Sequence, residues 1–418
     1  MSLTPTTTHR SRPGLTLLAA FLGWMFDGME MGIFPMVAGP ALREMAAKAG
    51  AVDVASYVQS GMGLVTALFL LGAALGGLIF GWLGDRIGRV KAMTWSILFY
   101  SGFTGLCYFA SSPWELGLMR FVAALGMGGE WALGVALVME SWPEKRRPML
   151  AAAIGASANF GYAIVAIIGI CFPIQDNSWR WVMLVGAAPA ALTFLIRLFV
   201  PESEKWETSV RGATASPVRE IFAPALRKRT FLAITFASIA LVVTWGIVQW
   251  VPLWADEMVG SKDPVRKATI QLCSALGATV GSLLAPLVGA WLGRRVTYFL
   301  LCACALAACE WLFLGIHSFG WLFLSVTALV GCTTASFYGW LPLYLPELFP
   351  TRVRATGQGL AFNAGRILAA VGAWNMPELM KFFGKSYPKA GATIALTYVL
   401  GMALIWLAPE TKGRPLPD

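Results

Sequence analysis

Long apolar runs recur along the whole chain, and each is close to the length a helix needs to cross a bilayer. About 20 apolar residues span the hydrocarbon core. Twelve segments qualify, at roughly 15–39, 58–82, 92–110, 114–142, 149–172, 181–199, 231–254, 268–292, 296–315, 321–345, 355–376 and 391–408. Run length, with Gly and Ala dispersed inside the runs, predicts helices rather than strands. Hydrophobic residues make up 57% of the 418 residues and charged ones only 13%, about half the charge of an ordinary globular chain. So apolar a chain cannot stay soluble alone. A soluble enzyme, a disordered chain and a nucleic-acid binder are excluded. The expected fold class is an all-α polytopic membrane protein.

The net charge of +10 is explained by its placement. With the N-terminus inside, inner segments hold 20 of the 32 Lys and Arg residues and outer loops hold nine. This positive-inside bias predicts that both termini are cytoplasmic, in what is expected to be a bacterial inner membrane. The longest polar stretch, 201–230, is read as a linker between two six-helix bundles, 15–200 and 231–408. Tails at 1–14 and 409–418 complete the organisation. Seven cysteines lie in apolar runs without metal-ligand spacing and read as small buried hydrophobes. No cofactor or metal is expected, and a monomer is.

The halves repeat. Pro201-Glu202-Ser203 recurs as Pro409-Glu410-Thr411 at an offset of 208. Glu140-x-x-Pro143-x-x-x-Arg147 recurs as Glu347-x-x-Pro350-x-x-x-Arg354 at 207, and Gly88-Arg89 as Gly293-Arg294 at 205. Parallel six-helix repeats are a transporter signature.

At these residues the sequence resembles the major facilitator superfamily. Gly81-x-x-Gly84-Asp85-Arg86-x-Gly88-Arg89 looks like its hallmark loop, and the repeated acid–Pro–Arg and Pro-Glu-Ser/Thr motifs resemble those of sugar porters and organic-ion relatives. In the second half, Ala290 replaces the counterpart of Asp85. The resemblance implies two pseudo-symmetric six-helix bundles. It also implies inner latches, with Asp85, Arg86, Arg89, Glu140, Arg147 and Glu202 in a first-half cluster and Glu347, Arg354 and Glu410 in a second. Breaking such pairs would let the halves rock.

Charges within the hydrocarbon are costly and mark function. Asp27 and Glu30 sit about 12 and 15 residues into the first helix, on one face at a spacing of three. Two adjacent carboxylates in a low dielectric cannot both ionise cheaply, so a proton carrier is expected there. Asp27-Gly28-Met29-Glu30 resembles the helix 1 motif of aromatic acid–proton symporters. The fourth helix carries Arg120 and Glu130, roughly 15 Å apart along the axis. Arg120-Phe121 with Gly126-x-Gly128-Gly129 resembles a helix 4 motif common in facilitator carriers. Gly128-Gly129-Glu130-Trp131 resembles the sialate and lactate–proton branch, which adds Glu130 to the proton-coupling candidates.

Arg366 lies near the middle of the eleventh helix, beside Asn363. Arg keeps its charge, so either an internal carboxylate or an anionic substrate must face it. Asn159 is the counterpart of Arg366 in the first half. Candidate substrate contacts are Arg366, Asn363, Asn159, Gln249, Trp245, Trp131, Tyr338 and Arg120. The function read from these residues is proton-coupled uptake of a small organic acid anion. The partners are that anion, the proton and the bilayer. Sugar or polyol symport and metabolite or drug export are the alternatives. A membrane enzyme is disfavoured, because no nucleophile, metal-ligand set or His–acid pair is found.

Overall fold

The computed structural model describes residues 13–173, 178–188, 199–203, 206–208, 217–246, 248–260, 263–375, 379, 382–384 and 386–417. In the first half, α1 spans Pro13–Lys48, α2 Val54–Ile87, α3 Arg89–Leu106, α4 Pro113–Ser141, α5 Arg147–Cys171 and α6 Trp179–Val185. The second half has α7 Arg227–Gly246, α8 Pro264–Leu292, α9 Arg294–Gly315, α10 Trp321–Tyr344, α11 Arg354–Trp374, α12 Tyr387–Ala395 and α13 Thr397–Leu404. Among the described residues no strand occurs, and nine helices are long and apolar enough to cross a membrane.

Where residues are described, the expected spans fall on helices, with instructive differences. Helix α1 runs to Lys48 rather than stopping near 39, with Pro35 and Pro40 inside it. Apolarity marks only the part of a helix that meets lipid, and the turns beyond it can carry Arg43 and Lys48. The expected span 231–254 is broken. Helix α7 ends at Gly246, and a 3-10 turn at Val248–Trp250 leads into a further helix at Val251–Val259. Pro252, at the start of that helix, has no N–H to continue the ladder. Most of the expected sixth span, 181–199, lies outside the described residues beyond α6.

Side-chain caps start several helices. Asp53 accepts from the Ser56 N–H at 3.0 Å, Ser112 from the Glu115 N–H at 3.2 Å and Asp263 from the Val265 N–H at 2.9 Å. Each satisfies one of the amides that a helix start leaves unpaired.

Within the first half, α4 packs along α2 and α3, and α1 along α5. Within the second, α8 packs along α10, α7 along α11, and α9 against α10, α12 and α13. The halves meet chiefly along two seams, α2 with α11 and α5 with α8. Exchanging the halves turns one seam into the other, as the sequence repeat requires. Small residues allow close approach: a Cβ on Gly359 of α11 would stand 2.2 Å from the Gly77 carbonyl oxygen of α2. Without a hydrophobic drive inside lipid, such backbone contact holds helices together. Outside the bundle, Leu75, Ile79, Leu284, Leu287 and Trp291 are exposed, as lipid-facing side chains should be. Cys171 and Cys304 are also exposed, so the reading of every cysteine as buried does not hold. An apolar run contains lipid-facing and interior positions alike.

Candidate functional site

Residue 13 and residues 409–417 lie at the same end of the bundle, since the Trp142 indole donates to the Pro13 carbonyl and Arg147 to the Arg414 carbonyl. This end is the terminal face. Helix α1 enters there and carries Asp27 and Glu30 into the interior, where both are buried.

The two acids have different neighbours. Glu30 forms an ion pair with Arg120 and accepts from the Thr104 hydroxyl at 3.2 Å. The Arg120 guanidinium lies 4.8 Å from the Phe34 ring centre and 4.7 Å from that of Phe69, in favourable cation–π geometry. Asp27 instead faces Glu130, its strongest electrostatic neighbour. The two carboxyls fall short of a formed hydrogen bond, and none of their four oxygens has a partner among the described residues. So the three acids do not act as one cluster around Asp27 and Glu30. Arg120 takes Glu30, while Asp27 and Glu130 form a second, cation-poor pair.

Arg366 comes from α11 and is 2% exposed. Its Nη1 donates to the Asn363 side-chain oxygen at 2.7 Å, while its Nε has no partner. Asn363 donates in turn to the carbonyls of Gly128 at 2.8 Å and Gly359 at 2.9 Å. That arrangement fixes the amide so that its oxygen must face the guanidinium. Asn363 therefore holds the guanidinium and is absent from the cavity wall.

A cavity of about 120 Å³ lies between the halves. Arg366, Trp24, Tyr162, Asn159, Tyr338 and Trp245 are among its lining residues. Pro35, Val251 and Pro252 line it further towards the face opposite the termini, and Gln271, Ser274, Thr244 and Thr334 supply polar groups. Arg366 is the only charged side chain on the wall among the described residues. Towards the terminal face, Trp131 of α4 stacks on Phe362 of α11, with ring centres 4.0 Å apart and planes 15° apart. Trp24 meets both rings edgewise or tilted, at 6.4 and 6.1 Å.

The candidate contacts divide accordingly. Arg366, Asn159, Trp245 and Tyr338 line the cavity. Trp131 does not, because Phe362 covers its face. Arg120 is held by Glu30 and two phenyl rings, away from the wall. The side chain of Gln249 lies outside the described residues. Trp24, Tyr162 and Gln271 are wall residues that sequence reasoning did not select. Asp27 was picked out on the same helix, and positions three apart share a helical face. That signal could have found Trp24.

At the terminal face the repeated motifs close on each other. Gly88 and Gly293 have φ of +111° and +93°, which favours glycine, and the turns they make start α3 and α9. Glu202 accepts from the N–H groups of Arg89 at 2.8 Å and Val90 at 3.1 Å. Glu410 does the same for Arg294 at 3.0 Å and Arg295 at 3.1 Å. Burial would raise the Glu410 carboxyl, but the amides of Arg294, Arg295 and Lys412 outweigh it and hold it below the usual range. At the more buried Glu202 burial wins, and the carboxyl is raised.

Arg89 joins Asp85 at 2.6 Å, Glu140 at 3.2 Å and the Thr351 carbonyl of the other half at 2.9 Å. Two expected latch pairings change. Arg354 joins Glu140 across the halves at 3.1 Å rather than Glu347, which Arg294 occupies with two bonds at 3.0 and 2.5 Å. Arg147 pairs with Glu144 at 2.5 Å and faces the C-terminal segment instead of joining Asp85, Glu140 and Glu202. Arg86 is exposed, 4.7 Å over the ring of Trp82, and takes no part.

Two repeated helical halves, an interior cavity between them and buried charges beside it define a polytopic carrier, and comparison with known proteins agrees. Residues 16–373 match the Major Facilitator Superfamily, and the chain belongs to that family, whose members are transporters and not enzymes. It is 30% identical to an inner membrane metabolite transport protein of Escherichia coli, over 85% of this chain and 84% of that one. It is 29% identical to a cis,cis-muconate transport protein of Acinetobacter baylyi, over 94% and 92% of the two chains. A solved proton:xylose symporter shares the fold with a TM-score of 0.78 at 18% identity, covering 97% of each chain.

Proposed function

We propose that the protein takes up a small organic acid anion together with a proton by alternating access. The observation that carries this reading is Arg366: a buried, permanent cation on the cavity wall whose hydrogen-bond partner among the described residues is the neutral Asn363. A buried guanidinium with no carboxylate bonded to it is costly, and a bound carboxylate would lower that cost with a charge-assisted bond. The muconate relative, named for an organic acid, is consistent with a carboxylate ligand, without bearing on its charge.

Charge counting supports the proton. Among the described residues, the middle of the bundle holds three buried acids, Asp27, Glu30 and Glu130, and two buried arginines, Arg120 and Arg366. One proton shared by Asp27 and Glu130 makes the empty site neutral. An arriving monoanion restores neutrality if the same pair takes a second proton. The cycle then carries one anion and one proton, and no net charge turns past the bilayer centre.

Further support comes from position. The Lys and Arg asymmetry supports a cytoplasmic terminal face. There the Arg89–Glu140–Arg354 network joins the halves, while the cavity extends the opposite way. This arrangement suits a carrier closed inwards and loading from outside.

Uptake into proteoliposomes tests the reading. Arg366→Ala should lose both uptake and ligand-induced thermal stabilisation, with the unliganded melting temperature held within a few degrees. Arg366→Lys should retain weakened binding, because it keeps the charge and loses the fork. Wild-type uptake by Arg366→Ala would reject the proposal.

A further inference from the structure

The cavity has one charged end and one neutral polar end. Arg366 marks the first, with Asp27 and the Tyr162 and Tyr338 side chains among its electrostatic neighbours. Gln271 of α8 marks the second. Its Nε2 donates to the Tyr162 carbonyl of α5 at 3.3 Å, across the two halves, and a Cβ on Gly32 would stand 3.0 Å from that same nitrogen. Five residues of α1 separate Asp27 from Gly32, about 7.5 Å along a helix.

The rest of the wall is largely apolar, with the Trp24 and Trp245 rings and the hydroxyls of Thr334 and Ser274 among its groups. No second cation lines it among the described residues. The 3.3 Å bond is long for an amide donor and is easily exchanged for a ligand oxygen. Asn159 is less available, because its amide already bonds the Ser282 hydroxyl at 3.1 Å.

We infer that the site selects monoanions over dianions, and that Gln271 is the specificity-determining residue, reading a neutral hydrogen-bonding group at the end of the substrate remote from its carboxylate. This rests on the organic-anion reading above and narrows it. A monocarboxylate with a distal hydroxyl satisfies both ends. A dicarboxylate of the same length brings its second charge against an amide, in a wall with no opposite charge, and an uncompensated buried charge is strongly disfavoured.

The test is a binding matrix on the detergent-solubilised full chain, read by thermal shift and isothermal titration. The probes are benzoate, 4-hydroxybenzoate and terephthalate, rings of one shape that differ at the remote position. In the native protein 4-hydroxybenzoate should bind roughly three- to tenfold more tightly than benzoate, the range of one neutral hydrogen bond, and terephthalate should bind most weakly. Gln271→Leu should bring the hydroxyl preference close to one. Gln271→Lys should admit terephthalate, raising its affinity relative to benzoate at least tenfold. An unchanged hydroxyl preference in Gln271→Leu, or terephthalate bound natively as well as benzoate, overturns the inference while leaving anion transport standing. Binding of none of the three acids to the native protein overturns the inference, while the organic-anion reading is decided by Arg366→Ala uptake.

Discussion

Thr356 donates both its backbone N–H, at 2.8 Å, and its hydroxyl, at 2.5 Å, to one carboxylate oxygen of Asp85, 271 positions earlier in the chain. Thr356 lies in the first turn of α11, where unpaired amides favour a negative charge. The other Asp85 oxygen holds Arg89. One carboxylate thus caps a helix of the second half and fixes an arginine of the first.

Asp85→Ala should open the terminal face. Hydrogen bonds to charged groups are worth about 1.5–3 kcal/mol each, so the closed population should fall by at least tenfold relative to the open one. A cysteine in place of Ala355, buried at the start of α11 where its backbone meets Gly81 of α2, gives the readout. Its labelling rate by a membrane-impermeant maleimide should rise when reagent is added at the terminal face. An unchanged rate means that the remaining network alone holds the face shut.

The facing carboxyls of Asp27 and Glu130 predict a graded loss of coupling. Either Asp27→Asn or Glu130→Gln leaves one titratable group, and each single variant should still accumulate substrate under an acid-outside gradient, though less steeply. The double variant should lose accumulation entirely and keep substrate exchange. Reconstituted uptake with and without a pH gradient separates these outcomes. Full accumulation by the double variant would move proton carriage to Glu30 or elsewhere.

Glu30 and Arg120 should behave as structure. Removing one partner strands a buried charge, at a cost of about 3–5 kcal/mol. Arg120→Met alone should therefore lower the melting temperature sharply. Arg120→Met combined with Glu30→Leu should recover most of the loss, since a well-packed apolar pair often replaces a buried ion pair without penalty. If the double variant folds and still couples uptake to protons, Glu30 is excluded from proton carriage.

The parts of the molecule legible in its sequence were those fixed by local chemistry. A turn that needs glycine, followed at once by an arginine, recurs at Gly88 and Gly293, and an acid–Pro–Arg motif recurs at Glu140 and Glu347, so the repeat could be read and its geometry matches. Arg366 stood out because a charge in an apolar run is conspicuous by itself. Partner choice was not legible. Nothing along the chain says that Glu30 takes Arg120, that Arg354 reaches Glu140 rather than Glu347, or that Trp131 hides behind Phe362 while Trp24 borders the cavity. These depend on the rotation of each helix about its axis. Interior and lipid-facing positions are equally apolar in a membrane protein, so periodicity does not reveal that rotation.

Ala290 occupies the place that Asp85 holds in the other half, and it has a consequence for movement. A methyl group can neither cap the start of α5 nor hold the arginine beside it. The α5–α8 contact therefore lacks the fastening that the α2–α11 contact possesses. Departure from the closed arrangement should begin at the weaker boundary, giving a lopsided swing in a molecule whose backbone is nearly two-fold. Paired spin labels across each boundary would register that order as unequal distance spreads, and equal spreads would mean that the missing carboxylate is made good elsewhere.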